Sequence, residues 1–197
     1  MNLNTFKHIF IIIFRTKLIF KKPKKAKLLF FDVSHTKLLI DKFKIKIGDY
    51  EILNSRLESI NIPILIKTIK KNIFNLSLKN YYLQYIKAVE PNKVITLIDN
   101  NIIFYKFKKY FPDIKFFSVQ CGHRTKNRDF FLQLKKNNLS RGDLSCDSIF
   151  VANLGFGKKI KKFINCKIIS LGFFKNNFIK ATNKKIKKKS LLFISQF

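Results

Sequence analysis

The chain has 197 residues, 47% of them hydrophobic and 15% aromatic, which excludes a disordered polypeptide and fits one well-buried domain better than two. Its formal net charge of +30 points toward anionic partners, but the cations are lysines apart from Arg15, Arg56, Arg124, Arg128 and Arg141. No arginine cluster interleaved with aromatics marks one element as a nucleic-acid reader, so specific nucleic acid is not expected and codon bias toward lysine accounts for much of the charge.

Residues 8–14 (HIFIIIF) are apolar, yet Arg15 and Lys17 interrupt the run, which is too short to span a bilayer. The KKPKKAK tract that follows argues against a signal peptide. Residues 1–26 therefore read as a basic amphipathic segment, either a helix lying on an anionic membrane face or one packed on the domain. Cys121, Cys146 and Cys166 lack metal-ligand spacing, so no metal site is expected and a reducing, cytoplasmic setting is the simpler one, with peripheral contact at the inner face of the plasma membrane.

From Lys27 onward short apolar runs alternate with helical stretches, the pattern of βαβ units. Leu28 to Val33 (LLFFDV) reads as a buried first strand opening into the polar Ser34-His35-Thr36. A second strand is expected at Tyr50–Leu53, after the Gly48-Asp49 turn, and a helix over Pro63–Lys71 with proline in its first turn. Glu51, Arg56 and Glu58 have the spacing of a solvated helix face as well as of a ligand rim. Ser77–Val89 carries helical spacing up to the stop at Glu90-Pro91-Asn92. Strand Val94–Ile98, helix Ile102–Phe111 and strand Ile114–Val119 follow.

The polar stretch to Asp147 is expected to hold one helix. Beyond it come strand Ser148–Val151, helix Asn153–Phe163 and strand Lys167–Leu171. A Lys-rich linker at 180–190 and a fresh apolar strand at 191–197 (LLFISQF) suggest that a second domain opens there. The expected architecture is α/β, a Rossmann-like parallel sheet flanked by helices over residues 27–179.

Ligands of such sheets bind at the carboxyl ends of the strands, where three polar clusters fall: Asp32 to His35, Asp99 to Asn101, and Gln120 to Arg124. Asp99 and Asn100 fit helix capping as well as ligand contact, since both tasks meet at a helix start, and Asp99 is, with His123, a candidate catalytic residue. Asn101 reads as structural. Gln120 can donate to and accept from sugar hydroxyls, and Gly122 permits a tight turn or close approach. His123 suits a general base and Arg124 a bidentate phosphate grip, with Asp129 as a competing ion-pair partner. Asp32 is either buried at its strand end or turned to the ligand. GxGxxG, GxxxxGK[ST] and HExxH are all missing, which disfavours classical dinucleotide, P-loop and zinc-protease chemistry.

The run Tyr85 to Arg124, followed by SLGFFKNN (Ser170 to Asn177) and LLFISQF (Leu191 to Phe197), resembles the bacterial surface-carbohydrate biosynthesis proteins. These are similar to GT-B glycosyltransferases and to the capsule and CDP-glycerol glycerophosphotransferase group, and the resemblance runs from about Lys27 to Phe197. It implies the amino-terminal, acceptor-side lobe of a two-domain transferase, with a nucleotide-sugar or CDP-polyol donor as substrate, no cofactor, and a carbohydrate or lipid-linked acceptor. By position, Asp99 and Asn100 match the family's acidic-amide pair, and Gln120, Gly122 and Arg124 its glutamine-glycine-arginine loop. The family more often has asparagine at Cys121 and an apolar residue at His123, so His123 departs from its pattern. Two other readings compete: a non-enzymatic basic domain for membrane or nucleic acid, and half of a nucleotide-sugar epimerase-like enzyme.

Overall fold

The computed structural model describes residues 16–71, 76–122, 130–174 and 176. Among them, six strands form one wholly parallel sheet: β2 (Leu28–Phe31), β3 (Tyr50–Leu53), β5 (Lys93–Thr96), β6 (Lys115–Val119), β7 (Ser145–Val151) and β8 (Asn165–Ser170). Their spatial order is β3-β2-β5-β6-β7-β8. Two short strands, β1 (Lys17–Ile19) and β4 (Ser59–Asn61), pair in parallel as a separate ribbon. The fold is α/β and Rossmann-like, as the alternation of the sequence requires.

Handedness explains where the helices lie. The step from β2 to β3 runs toward one edge, and every later crossover runs toward the other. Right-handed connections therefore put α1 (Thr36–Phe43) on one face and the helices of the later crossovers on the opposite face. That opposite face is the main core. Leu29, Phe31, Val94, Phe116, Ile149 and Val151 point into it from the strands. They meet α3 (Leu78–Val89), α4 (Ile102–Tyr105), α5 (Phe130–Lys136) and α6 (Leu154–Ile160), with α2 (Ile62–Lys71) packed on α3. Stacked edge-to-face rings, such as Phe31 on Tyr82 at 5.3 Å and Phe104 on Tyr105 at 5.3 Å, fill the layer.

The helix ends follow local chemistry. Ser77 caps α3 by accepting from Asn80 N, and Asn153 caps α6 by accepting from Phe156 N. Pro63 sits in the first turn of α2, as expected. Three expectations need correction, and one helix, at 36–43, has no counterpart among the expected elements. Residues 17–19 form a strand rather than part of a helix, because their backbone pairs with β4. Residues 36–43 form α1, which carries neither an Asn, Asp, Ser or Thr side-chain cap nor a terminal glycine; left-handed His35 and Lys44 bound it instead. Glu51 lies in β3, and Arg56 and Glu58 lie in a turn rather than on a helix face. The helix expected over 102–111 stops at Tyr105, with a 3-10 turn at Lys108–Tyr110. Residues 1–15 and the expected linker and strand at 180–197 lie outside the described residues.

Two features give stability predictions. A Cβ built on Gly157 would collide with Ile168 Cγ2, so α6 packs on β8 only with glycine there. Gly157→Ala should cost about 1–3 kcal/mol in denaturant unfolding, against the gain alanine brings to an exposed helix. Asp147 accepts from Phe116 N at 2.8 Å and lies 3.0 Å from Lys108 Nζ and 3.3 Å from Lys115 Nζ. Burial opposes its ionisation, but the Phe116 amide and the Lys108 ammonium outweigh it and hold the carboxyl below its ordinary value. A depressed folded pKa stabilises above the unfolded pKa near 4, and that contribution is lost as pH falls through the folded value. Wild type should lose stability across that acid range, and Asp147→Asn should flatten this part of the curve.

Candidate functional site

The strand order reverses between β2 and β5, so their carboxyl ends open a crevice at the point where doubly wound sheets bind ligands. Asp32 leaves β2 on one side of it and Asp99 follows β5 on the other. Gln120 follows β6, the strand paired with β5, so Asp99 and Gln120 share one edge as the sequence suggests.

The buried members of this set are braces. Asp32 is 4% exposed, and its carboxylate accepts from Ser34 N at 2.8 Å and Ser55 Oγ at 2.6 Å, with Arg56 Nε at 3.6 Å. Its φ of 128° is uncommon for a residue with a side chain, and these contacts hold the strained turn. Thr96 Oγ1 donates to the Phe31 carbonyl at 3.1 Å, linking β5 to β2. Asp99 is fully buried; its Oδ1 accepts from Cys121 N at 3.2 Å, and its carbonyl accepts from Tyr105 Oη at 2.7 Å. Gln120 is 4% exposed, its Oε1 accepting from Ala152 N at 2.9 Å and its Nε2 donating to the Gly122 carbonyl at 2.8 Å. Each brace ties the loop of one strand to the next strand or to its own return.

A tyrosine row on α3 supports the same edge from below. Tyr82 Oη donates to the Ser55 carbonyl at 2.9 Å, and Tyr85 Oη to Glu51 Oε1 at 3.2 Å. Burial, with smaller contributions from Tyr81 and Asp32, pushes the Tyr82 phenol up to about 12, so it stays a hydrogen-bond donor at neutral pH. Burial likewise pushes Tyr105 well above its ordinary value.

What remains on the rim is different. Asn100 is half-buried, and its side chain forms no hydrogen bond among the described residues. Asn101, rather than Asp99 or Asn100, caps α4 by accepting from Ile103 N at 3.1 Å. Gly122 adopts neither a left-handed turn nor a close approach, since a Cβ there would meet nothing within 4 Å. That open space lies beside half-buried Cys121. Arg56, half-exposed and held at the crevice by Asp32, is a cation whose spacing alone fitted a helix face as well as a ligand rim. Its place just past the carboxyl end of β3, as expected from the sequence, puts it on the rim. His123 and Arg124 lie outside the described residues. Among those residues no group of His, Cys, Asp and Glu could hold a metal ion, and no helix is long and apolar enough to cross a membrane.

A family model described as "putative O-antigen biosynthesis protein" matches residues 117–197. The match begins within β6 and takes in the Gln120 loop, β7, α6 and β8, less than half of the chain. No curated protein and no solved structure matches. The similarity supports a role in surface-carbohydrate biosynthesis.

The bracing geometry separates positioning from catalysis. Asp99→Ala removes the acceptor of the Cys121 amide and should cost about 1–3 kcal/mol of stability. Asp99→Asn keeps an acceptor oxygen and should retain most of the melting temperature. A bracing Asp99 leaves that variant active as well; a general base at Asp99 would leave it stable but lower its activity by roughly 100-fold or more.

Proposed function

We propose that the chain is the acceptor-side lobe of a glycosyltransferase-like enzyme of surface-polysaccharide assembly. In this reading it transfers a sugar or polyol-phosphate unit from a nucleotide-activated donor. The observation that carries the proposal is the crevice at the strand-order reversal, where Arg56, Asn100 and the Gly122 loop gather on a rim fixed by buried braces. The family match through the Gln120 loop supports the surface-carbohydrate setting.

Acceptor hydroxyls would meet the Asn100 amide, and the backbone about Gly122 would let a sugar ring approach closely. Asp99 and Gln120 would act as positioning residues, fixing the Cys121–Gly122 backbone. His123 and Arg124, next in the chain, would supply a proton acceptor for the hydroxyl and a grip on the departing phosphates. The donor would be bound chiefly by a second lobe beginning near Leu191, and the rate would come from orientation across the cleft. No cofactor enters this reaction; the nucleotide is part of the substrate.

The test is genetic and biochemical together. Disrupting the gene in its host should remove or shorten the surface polysaccharide seen on gels, and the intact gene should restore it. Arg56→Ala, Asn100→Ala and His123→Ala should each restore it poorly while the protein accumulates normally. In membranes fed labelled nucleotide-activated donors, incorporation should fall roughly 10- to 100-fold for each variant. An unchanged polysaccharide in the disrupted strain sinks the proposal.

A further inference from the structure

The sheet face opposite the main core carries only α1 among the described helices, and an apolar cavity of about 900 Å³ opens on it. Its floor is the second side of the strands, with Phe30, Ile95, Phe117, Val119 and Phe150, and α1 contributes Leu39 and Phe43 as a wall. The volume falls within the roughly 300–1,000 Å³ of small-molecule sites. Parallel strands are normally covered on both faces, so this apolar floor calls for an occupant.

The mouth of the cavity identifies one. Lys27 and Lys93, both exposed, line it at the amino ends of β2 and β5, and Asp49 and Asn92 share that end. There α1 runs out into Phe43-Lys44-Ile45-Lys46-Ile47. Phe43 is 67% exposed and Ile47 is 91% exposed, while Ile45 turns into the cavity. Large apolar side chains standing in solvent between lysines are the composition of a surface that rests in the headgroup layer of an anionic membrane. A hydrocarbon chain entering between Phe43 and Ile45 would find only apolar wall, and a phosphate left at the mouth would meet Lys27 and Lys93.

We propose that this edge of the sheet docks on an anionic membrane and that the cavity takes one hydrocarbon tail of a phosphate-bearing membrane lipid. The lysine-bearing end of the cavity lies at the amino ends of the strands, away from the rim that bears Asn100 and Gly122, while Leu171 and Phe174 line its other end, so the lipid headgroup held there belongs to an anchor and not to the group acted upon. The proposal therefore stands or falls independently of the transferase reading.

The chain has no tryptophan, so Phe117→Trp in the full chain puts a single fluorophore on the cavity floor. Phe150→Trp duplicates it on β7, and Tyr110→Trp, beside Lys79 of α3 on the helix-covered face, is the surface control. The probes are vesicles of phosphatidylglycerol or of phosphatidylcholine with bromine in the acyl chains. Brominated phosphatidylglycerol should quench both cavity tryptophans strongly and the Tyr110→Trp control little, and inorganic phosphate should not relieve the quenching. Phe43→Ser with Ile47→Ser should weaken vesicle partitioning by about tenfold. Equal quenching of the control, which marks adsorption by charge alone, overturns the proposal. So does equal quenching by phosphatidylcholine, or no quenching at all, the result expected if protein fills the cavity.

Discussion

At the carboxyl edge of a parallel sheet the ladder ends while each strand still has to turn into its crossover, and the turning backbone must find hydrogen-bond partners. Here buried side chains provide them. Asp32, Thr96, Asp99 and Gln120 accept from or donate to nearby backbone, and they stand at the carboxyl ends of three neighbouring strands, β2, β5 and β6, or in the loops that follow them. An unpaired buried amide costs about 1–3 kcal/mol, so the four together fix the edge as one rigid line. The crevice has its shape because of them. The residues that remain for a ligand are those this line holds still but does not use.

That division explains how far the sequence could be read. The periodicity of Leu28–Val33, Ser77–Val89 and Ile114–Val119 announced strand, helix and strand, since apolar spacing reports directly on which face is buried. Ser77 and Asn153 announced helix starts because capping is chemistry within one turn. The placement of Asp99 and Gln120 on one edge also followed from chain order. Their roles did not. That Asp99 accepts from Cys121 N–H is a contact between loops far apart in the sequence, and no local pattern reports it. Helix α1 was missed for a similar reason: left-handed His35 and Lys44 do with backbone conformation what Asn or Gly would have advertised. Arg56 was left open between a helix face and a ligand rim because the choice depends on its contact with Asp32, which stands at the end of the neighbouring strand.

The two faces of the sheet have different partners for a topological reason. With a single leftward step, from β2 to β3, right-handed crossovers commit just one of the described helices to the second face. The aromatic-rich strands nevertheless carry apolar side chains on both sides, and Lys27 and Lys93 stand at one end of the exposed one. Composition alone left those lysines without assignment; the fold gives some of them an address at the end of an apolar trough.

The ribbon formed by β1 and β4 has a consequence for biogenesis. Lys17 pairs with Ser59, so the first strand has no mate until that residue has been made and has cleared the exit tunnel. At roughly 5–20 residues per second the wait is a few seconds, against about 1–10 μs for a hairpin to close. During that interval the nascent chain presents an unsatisfied edge strand, and chaperones that shield such edges should meet this protein early in its synthesis.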